Sequence, residues 1–348
     1  MKVKIIDVQD AVGTVLSHDL TLIDPESRYK GARFKKGHAV AEEDIALLKR
    51  MGREHLSILE LEDDEVHEDD AALRLAASMK KSMKKREGFS SLFSIEGPSE
   101  GKCGLVAEAD GLLSFDEESV HEINKANDWV FATLPDKIPV SKGETVAAWR
   151  VGPLVVKEDV VRRAEELVRP FDLLAFAPLR TALVTTGREL WEGRVKDAFL
   201  GRLEKKLTLY GAPLIGHEIV PDDRDSIANC VEAWVAKGAE VVFCTGGMSV
   251  DADDLTPAAI RHVASEIVFR GTPALPGSNL MLAKKGNVTL LGVPACAVHA
   301  DVTVLDTVMH RVYAGLSITN DEVRRWGVGG LCRNCKPCNY PTCSFGCR

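Results

Sequence analysis

No apolar run in this 348-residue chain approaches the roughly 18 residues needed to span a bilayer, which predicts that the chain has no membrane partner. The opening Met1-Lys2-Val3-Lys4-Ile5-Ile6-Asp7 holds no export-type apolar stretch, because Asp7 and Asp10 interrupt it. A basic surplus is missing as well: 44 Lys and Arg stand against 52 Asp and Glu, for a formal net charge of -8. Binding a phosphate backbone needs a basic face, so nucleic acid is excluded as a general partner. With 45% hydrophobic and 28% charged residues, the chain reads as a globular cytoplasmic protein of two or three domains. Disulfides are not expected in that compartment, where clustered thiols bind metal or do redox chemistry instead. Four of the nine cysteines (Cys103, Cys230, Cys244 and Cys296) are isolated, and the other five crowd into the last 17 residues. The tail is therefore a separate feature.

What the chain does contain is organised around Cys244-Thr245-Gly246-Gly247-Met248-Ser249-Val250-Asp251-Ala252-Asp253-Asp254-Leu255-Thr256-Pro257. The apolar run Ala239 to Cys244 predicts a strand. Thr256 as N-cap and Pro257 at the first helical position predict a helix start. A loop between a strand end and a helix N-terminus collects free backbone N–H groups, so it suits an anion. Asp251, Asp253 and Asp254 fit that site if a divalent cation bridges them to the anion. The alternative is an acidic surface turn that caps the helix.

Around this loop, strands and helices alternate from about residue 178. Strands are predicted at Thr181–Thr186, Pro213–Val220, Ala239–Cys244, near Ile267–Phe269 and at Asn287–Val293, with helices over Asp197–Tyr210, Asp222–Lys237, from Pro257, and Cys296–Ala314. Such alternation means βαβ crossovers, so the fold class is α/β, a doubly wound and mainly parallel three-layer sheet. Its strand ends gather four loops, carrying Thr186-Gly187, Gly246 to Asp254, Pro276-Gly277-Ser278 and Gly292 to Cys296. Glycine there lets backbone approach a ligand. The reading gives a β-rich α+β domain over 1–170, the α/β domain over 171–320 and a cysteine-rich tail over 321–348. Within the first, helices are predicted at Glu42–Gly52, Asp63–Arg86 and Glu117–Asn127. Gly97-Pro98-Ser99-Glu100-Gly101 fits the G-x-S-x-G pattern, but a strand follows it where a nucleophile elbow needs a helix. His299 and His310, placed on one final helix, read as core or surface residues.

Thr245-Gly246-Gly247-Met248-Ser249-Val250, followed by Asp254 and Thr256-Pro257, resembles the molybdopterin-binding domain shared by molybdopterin adenylyltransferases and by molybdotransferases of the MoeA and gephyrin type. Pro276-Gly277 and Gly292-Val293-Pro294 complete the match, which covers about 178–315. The resemblance implies the molybdopterin-binding fold, a homodimer, and a site for molybdopterin or its adenylate, where molybdate or tungstate displaces AMP with the help of Mg2+. By position it implies Asp254, Asp197 and Asp251 as catalytic, and Asp251, Asp253 and Asp254 as metal-holding. Thr186, Gly187, Thr245, Gly246, Gly247, Ser249, Pro276, Gly277, Ser278 and Pro294 are then cofactor-binding. Phosphoanhydride cleavage needs a cation and a positioned oxyanion more than covalent help from the protein. The chain departs from the pattern at Asp251, Ala252 and Ala295-Cys296-Ala297, and where a β-rich domain follows in molybdotransferases it has the tail. Two other readings keep the fold: a molybdopterin carrier that serves a molybdoenzyme acceptor, and a nucleotide-cleaving relative.

In the tail, Cys332-x2-Cys335-x2-Cys338-x4-Cys343-x3-Cys347 resembles a ferredoxin-type ligand run for a [4Fe-4S] cluster. Four thiolates also suit Zn2+, so Cys332, Cys335, Cys338 and Cys343 are the expected ligands for either metal, with Cys347 spare.

Overall fold

The computed structural model describes the chain except for residues 1, 15, 25–28, 37, 39, 85–91, 100, 249–254 and 347–348. Near the N-terminus, Lys2–Asp7 pairs antiparallel with His55–Glu60, and Leu20–Asp24 with Tyr29–Phe34. Val8, Leu16, Phe34, Leu48 and Leu56 form a small core of their own beneath them. A larger core follows, where the helix Glu68–Lys84 covers an antiparallel sheet in the order Phe93–Ser99, Lys102–Ala107, Thr145–Val151, Trp129–Thr133. Trp149 is fully buried in that core, and its indole N–H donates to Ala72 O at 3.0 Å. Gly97 to Ser99 lies in a strand, and a second strand begins at Lys102 where an elbow needs a helix. The helix expected from Asp63 starts only at Glu68, because Glu65–His67 pairs as a strand with Val155–Lys157.

The C-terminal half is a six-stranded α/β unit. Its elements are β1 (Thr181–Thr186), α1 (Leu200–Leu207), β2 (Leu214–Val220), α2 (Arg224–Ala236), β3 (Val241–Thr245), α3 (Thr256–Val263), β4 (Glu266–Arg270), β5 (Met281–Lys285), β6 (Val288–Val293) and α4 (Val304–Tyr313). The strand order is β2-β1-β3-β6-β5-β4; the first three ladders are parallel and the last two antiparallel. Alternate side chains serve opposite faces. Leu183, Phe243 and Leu291 pack with α1 and α4, whereas Val184, Val242, Cys244 and Leu290 pack with α2 and α3. The result is the three-layer, mainly parallel sheet that the alternation of elements predicts.

Four local expectations change. The helix start after the acidic loop has Leu255 as N-cap, and Thr256 is already helical, its hydroxyl donating to Gly246 O at 2.7 Å. β5 is an additional strand, a short apolar run that a glycine-bounded loop reading conceals. The expected helix from Asp197 begins at Leu200, with the Asp197 carboxylate accepting from the amides of Phe199 and Leu200. The expected final helix is two pieces: a 3-10 turn at Ala295–Val298, then α4, which Thr303 and Asp306 close with a capping box. His299 therefore precedes the helix, and the two histidines share no face of it.

Candidate functional site

Register places the strand ends level. Thr185 on β1 pairs with Thr245 on β3, and Thr245 with Val293 on β6, so the turns after all three leave the sheet at one edge. Glycine is required at the closest approach. A Cβ on Gly246, whose φ is 89°, would overlap the carbonyl oxygen of Thr186, and one on Gly277, at φ 117°, would lie 2.6 Å from Val304 Cγ1. The turns after β3 and β6, with the Leu275–Asn279 turn before β5, line a cavity of about 460 Å3 through Gly246–Met248, Leu275–Asn279 and Pro294–Cys296, and the turn after β1 does not reach it. Thus Gly246, Gly247, Pro276, Gly277, Ser278 and Pro294 are brought together around one space. A second cavity of about 660 Å3 is lined by Arg188, Trp191, Glu192, Pro221, Asp222, Asp223 and Leu255. Met248 lines the first and Leu255 the second. Ser249, Asp251, Asp253 and Asp254 lie outside the described residues.

Beneath the turns runs a network of polar side chains. The Thr185 hydroxyl donates to Asp197 Oδ2 at 2.6 Å, and the Thr245 hydroxyl donates to Thr185 Oγ1 at 3.2 Å. His217 Nε2 on β2 lies 3.1 Å from Asp197 Oδ2 and 3.0 Å from Thr185 Oγ1. Asp197 is not among the residues lining either cavity. Its carboxylate joins the start of α1 to the ends of β1, β2 and, through Thr185, β3. Thr186 and Thr245 are both buried, so they support the turns from below.

One residue was missed by reading the sequence. Asp222 follows β2, and its Oδ1 accepts from the Thr186 hydroxyl at 3.2 Å. The same oxygen lies 3.3 Å from where a Cβ on Gly247 would stand. A carboxylate is therefore present at the glycine turn from a fifth strand-end loop, Val220-Pro221-Asp222. The signal was available, since that stretch too lies between a strand and a helix, but it has no glycine to draw attention. The neighbouring Asp223 caps α2 by accepting from the Ser226 amide, and hydrogen bonds from Ser226 hold its carboxyl below the usual carboxylate range.

Three of the four isolated cysteines are structural, and the fourth, Cys296, lines the first cavity. Cys103, Cys230 and Cys244 are buried, and burial pushes the thiols of Cys230 and Cys244 up to about 12, far from thiolate chemistry at neutral pH. The tail cysteines behave differently: Cys332, Cys335, Cys338 and Cys343 all line a third cavity of about 170 Å3, together with His299 to Val302 and Tyr340. Among the described residues, no three His, Cys, Asp or Glu side chains are already gathered on one point as a metal site. No helix among them is long and apolar enough to cross a membrane.

Comparison with known proteins agrees with this geometry. Residues 182–313 match the family described as a probable molybdopterin binding domain, and residues 5–60 match a domain of unknown function. The chain thus carries a molybdopterin-binding domain across its six-stranded sheet. A CinA-like protein of Amoebophilus asiaticus is 26% identical over 110 residues, 32% of this chain and 25% of that protein. A molybdopterin molybdenumtransferase of Synechococcus elongatus is 24% identical over 120 residues, 32% of this chain and 30% of that protein. A CinA-like protein of Geobacter metallireducens is 36% identical over 92 residues, 26% of this chain and 22% of that protein. In each case the chain spans less than a third of the relative's length. Among solved structures, the molybdopterin biosynthesis enzyme MoaB of Thermus thermophilus is 19% identical, with a TM-score of 0.33 over 38% of this chain and 89% of that one. CinA of Thermoplasma acidophilum, titled as a protein of unknown function, is 15% identical, with a TM-score of 0.34 over 39% of this chain and 98% of that one.

Proposed function

We propose that this protein works in molybdenum cofactor biosynthesis, binding adenylylated molybdopterin at the strand-end cavities and exchanging the adenylate for molybdate with a divalent cation. The observation that carries the reading is the convergence of three glycine- and proline-bearing turns on one cavity within a matched molybdopterin-binding domain. Backbone amides at Gly246 and Gly247 in the cavity wall suit the phosphate, and the apolar wall of Met248, Leu275 and Pro294 suits a flat ring. Asp251, Asp253 and Asp254, which follow the glycine turn in sequence, supply the carboxylates for Mg2+, with Asp222 at that turn from the loop after β2. Asp197 is the positioning residue, acting on the turn through Thr185 and Thr245. In this reading the tail cysteines hold a thiophilic metal, and the working form is a homodimer that hands its product to a molybdoenzyme.

The test is to incubate purified protein with magnesium, molybdate and adenylylated molybdopterin and to follow AMP. Release of AMP that depends on both additions supports transfer; retention of the pterin without any AMP overturns transfer and leaves a carrier. A second reading exchanges the pterin for a nucleotide to be cleaved. It is favoured by Arg188 and Trp191, a guanidinium and an indole exposed beside the larger cavity, which suit a phosphate and a base. Oxidised extracts of the purified protein without pterin fluorescence would support that second reading.

A further inference from the structure

The cysteine segment is built into the wall of the ligand cavity. The Leu275 amide donates to Gly330 O at 2.7 Å, and the Cys332 amide donates to Leu275 O at 2.8 Å, so Leu331 pairs with Leu275 as a short parallel bridge. Leu275 itself lines the ligand cavity beside Pro276 and Gly277. No side chain fits at the crossing: a Cβ on Gly330 would overlap Trp326 O and lie 3.0 Å from Pro273 O. Further along, Tyr340 stacks on His310 of α4, with ring centroids 5.8 Å apart and planes 6° from parallel, and Phe345 is buried. A second strand of chain connects the two cavities, since Cys296 lines the ligand cavity and His299, three residues on, lines the cysteine cavity.

The cysteine cavity has features of a thiolate site. Four thiols from a twelve-residue stretch face one space, and the Asn334 amide donates to Cys332 Sγ at 3.4 Å across a turn where Asn334 takes a φ of 53°. An amide aimed at sulfur stabilises a thiolate, and Arg333 and Lys336 on the same wall offset its charge. Cys332, Cys335 and Cys338 form no disulfide. Zinc or an iron–sulfur cluster binds such thiols with loss of their protons.

We propose that Cys332, Cys335, Cys338 and Cys343 form a thiolate metal site that is coupled to the ligand cavity, with metal binding holding the Leu275–Ser278 turn in its ligand-binding position. The thiols now surround a space, and ligation must draw them together; Cys332 cannot move without the hydrogen bond from its amide to Leu275 O acting on that residue. Coupling of this kind is reciprocal, so metal tightens ligand and ligand tightens metal by the same factor. The proposal rests on the strand-end cavity being the ligand site, and its test separates the two.

Full-length protein purified without oxygen is assayed for zinc, iron and acid-labile sulfide, beside Cys332→Ser/Cys335→Ser and Gly330→Val. One equivalent of zinc, or iron with matching sulfide, is expected in the parent and is lost in the double variant. Substoichiometric metal that persists in the double variant, or no metal even after supply of zinc or of iron with sulfide, overturns the site. Removing the metal should weaken molybdopterin binding at least about fivefold, at the lower bound of measured couplings. Gly330→Val keeps every thiol yet breaks the crossing, so it should keep the metal and lose the coupling. Metal bound with pterin affinity unchanged overturns the coupling alone. If the parent binds no pterin, the proposed function fails while the coupling is still read by hydrogen exchange: metal should slow exchange at the Leu275 and Cys332 amides, and unchanged exchange overturns it.

Discussion

The strand-end loops and the cysteine tail are both conspicuous in the sequence, yet they come to their places by different physics. The loops are positioned by a sheet whose register levels Thr185, Thr245 and Val293, so their convergence follows from backbone pairing. Among the described residues the tail has no regular element to position it from Leu331 to Gly346; the crossing at Gly330, the stack of Tyr340 on His310 and the buried Phe345 help to hold it. A site on strand ends is rigid by construction, whereas one on a docked segment is only as firm as its dock.

The largest expected effect tests that dock. His310 lies under Tyr340, its Nδ1 2.9 Å from the Tyr210 hydroxyl and its Nε2 without a partner among the described residues. Burial, helped by Arg311 and Lys206, pushes its pKa down to about 3. The unfolded chain takes up that proton near 6.5, so the stabilisation is present above about pH 6.5 and is lost as pH falls towards 3, with a ceiling of about 5 kcal/mol. Urea unfolding from pH 7 to 4 should show this slope in the parent, and His310→Phe should flatten it. An unchanged slope would place the acid sensitivity elsewhere.

On the loop side, Gly246→Val should cost about 3 kcal/mol, since it combines a left-handed φ with overlap on backbone. It should also abolish pterin retention. Gly286→Ala has a φ of 56° but open space around it, so its cost should stay near 1 kcal/mol, and the difference measures close approach alone. Next in size, Asp197→Ala removes the acceptor for Thr185 and for two amides at the start of α1, a loss of about 2 kcal/mol by thermal unfolding. Asp197→Asn should keep much of that stability, because an amide oxygen still accepts. The smallest effect returns to the tail. Tyr340→Ala should cost about 1 kcal/mol of stability while raising proteolytic cleavage within 331–346 more than in the loops. Equal cleavage in both regions would erase the contrast between them.

Much of this was legible in the chain itself. Val242 and Cys244 against Val241 and Phe243 show the two-faced strand, and Gly246-Gly247 after it marks the turn that backbone must approach. Asp222 was not legible, because a carboxylate after a strand is common, and only the Thr186 hydrogen bond and the approach of Gly247 mark this one. The break before α4 was hidden for a similar reason: Ala295 to Val302 is apolar enough to continue a helix, and Thr303 with Asp306 reads as a capping box only once Thr303 is extended. Asp197 was legible as important, but sequence position could not distinguish a group facing the ligand from one that holds the turns beneath it.

By itself the sequence determined the α/β class and five of the six strands, because hydrophobic periodicity and glycine stops are local properties that backbone geometry converts directly into strands and helices. It also determined which residue types meet at the strand ends, since parallel topology leaves those ends no other place to go. Only the tertiary structure decided that Cys332, Cys335, Cys338 and Cys343 line one cavity, on a segment hydrogen-bonded to Leu275 in the wall of the strand-end cavity. Gly330 and Leu275, like Tyr340 and His310, are far apart in the chain and carry no periodic signal; their contacts exist because two otherwise complete surfaces fit each other, and complementarity of that kind appears only when both have folded.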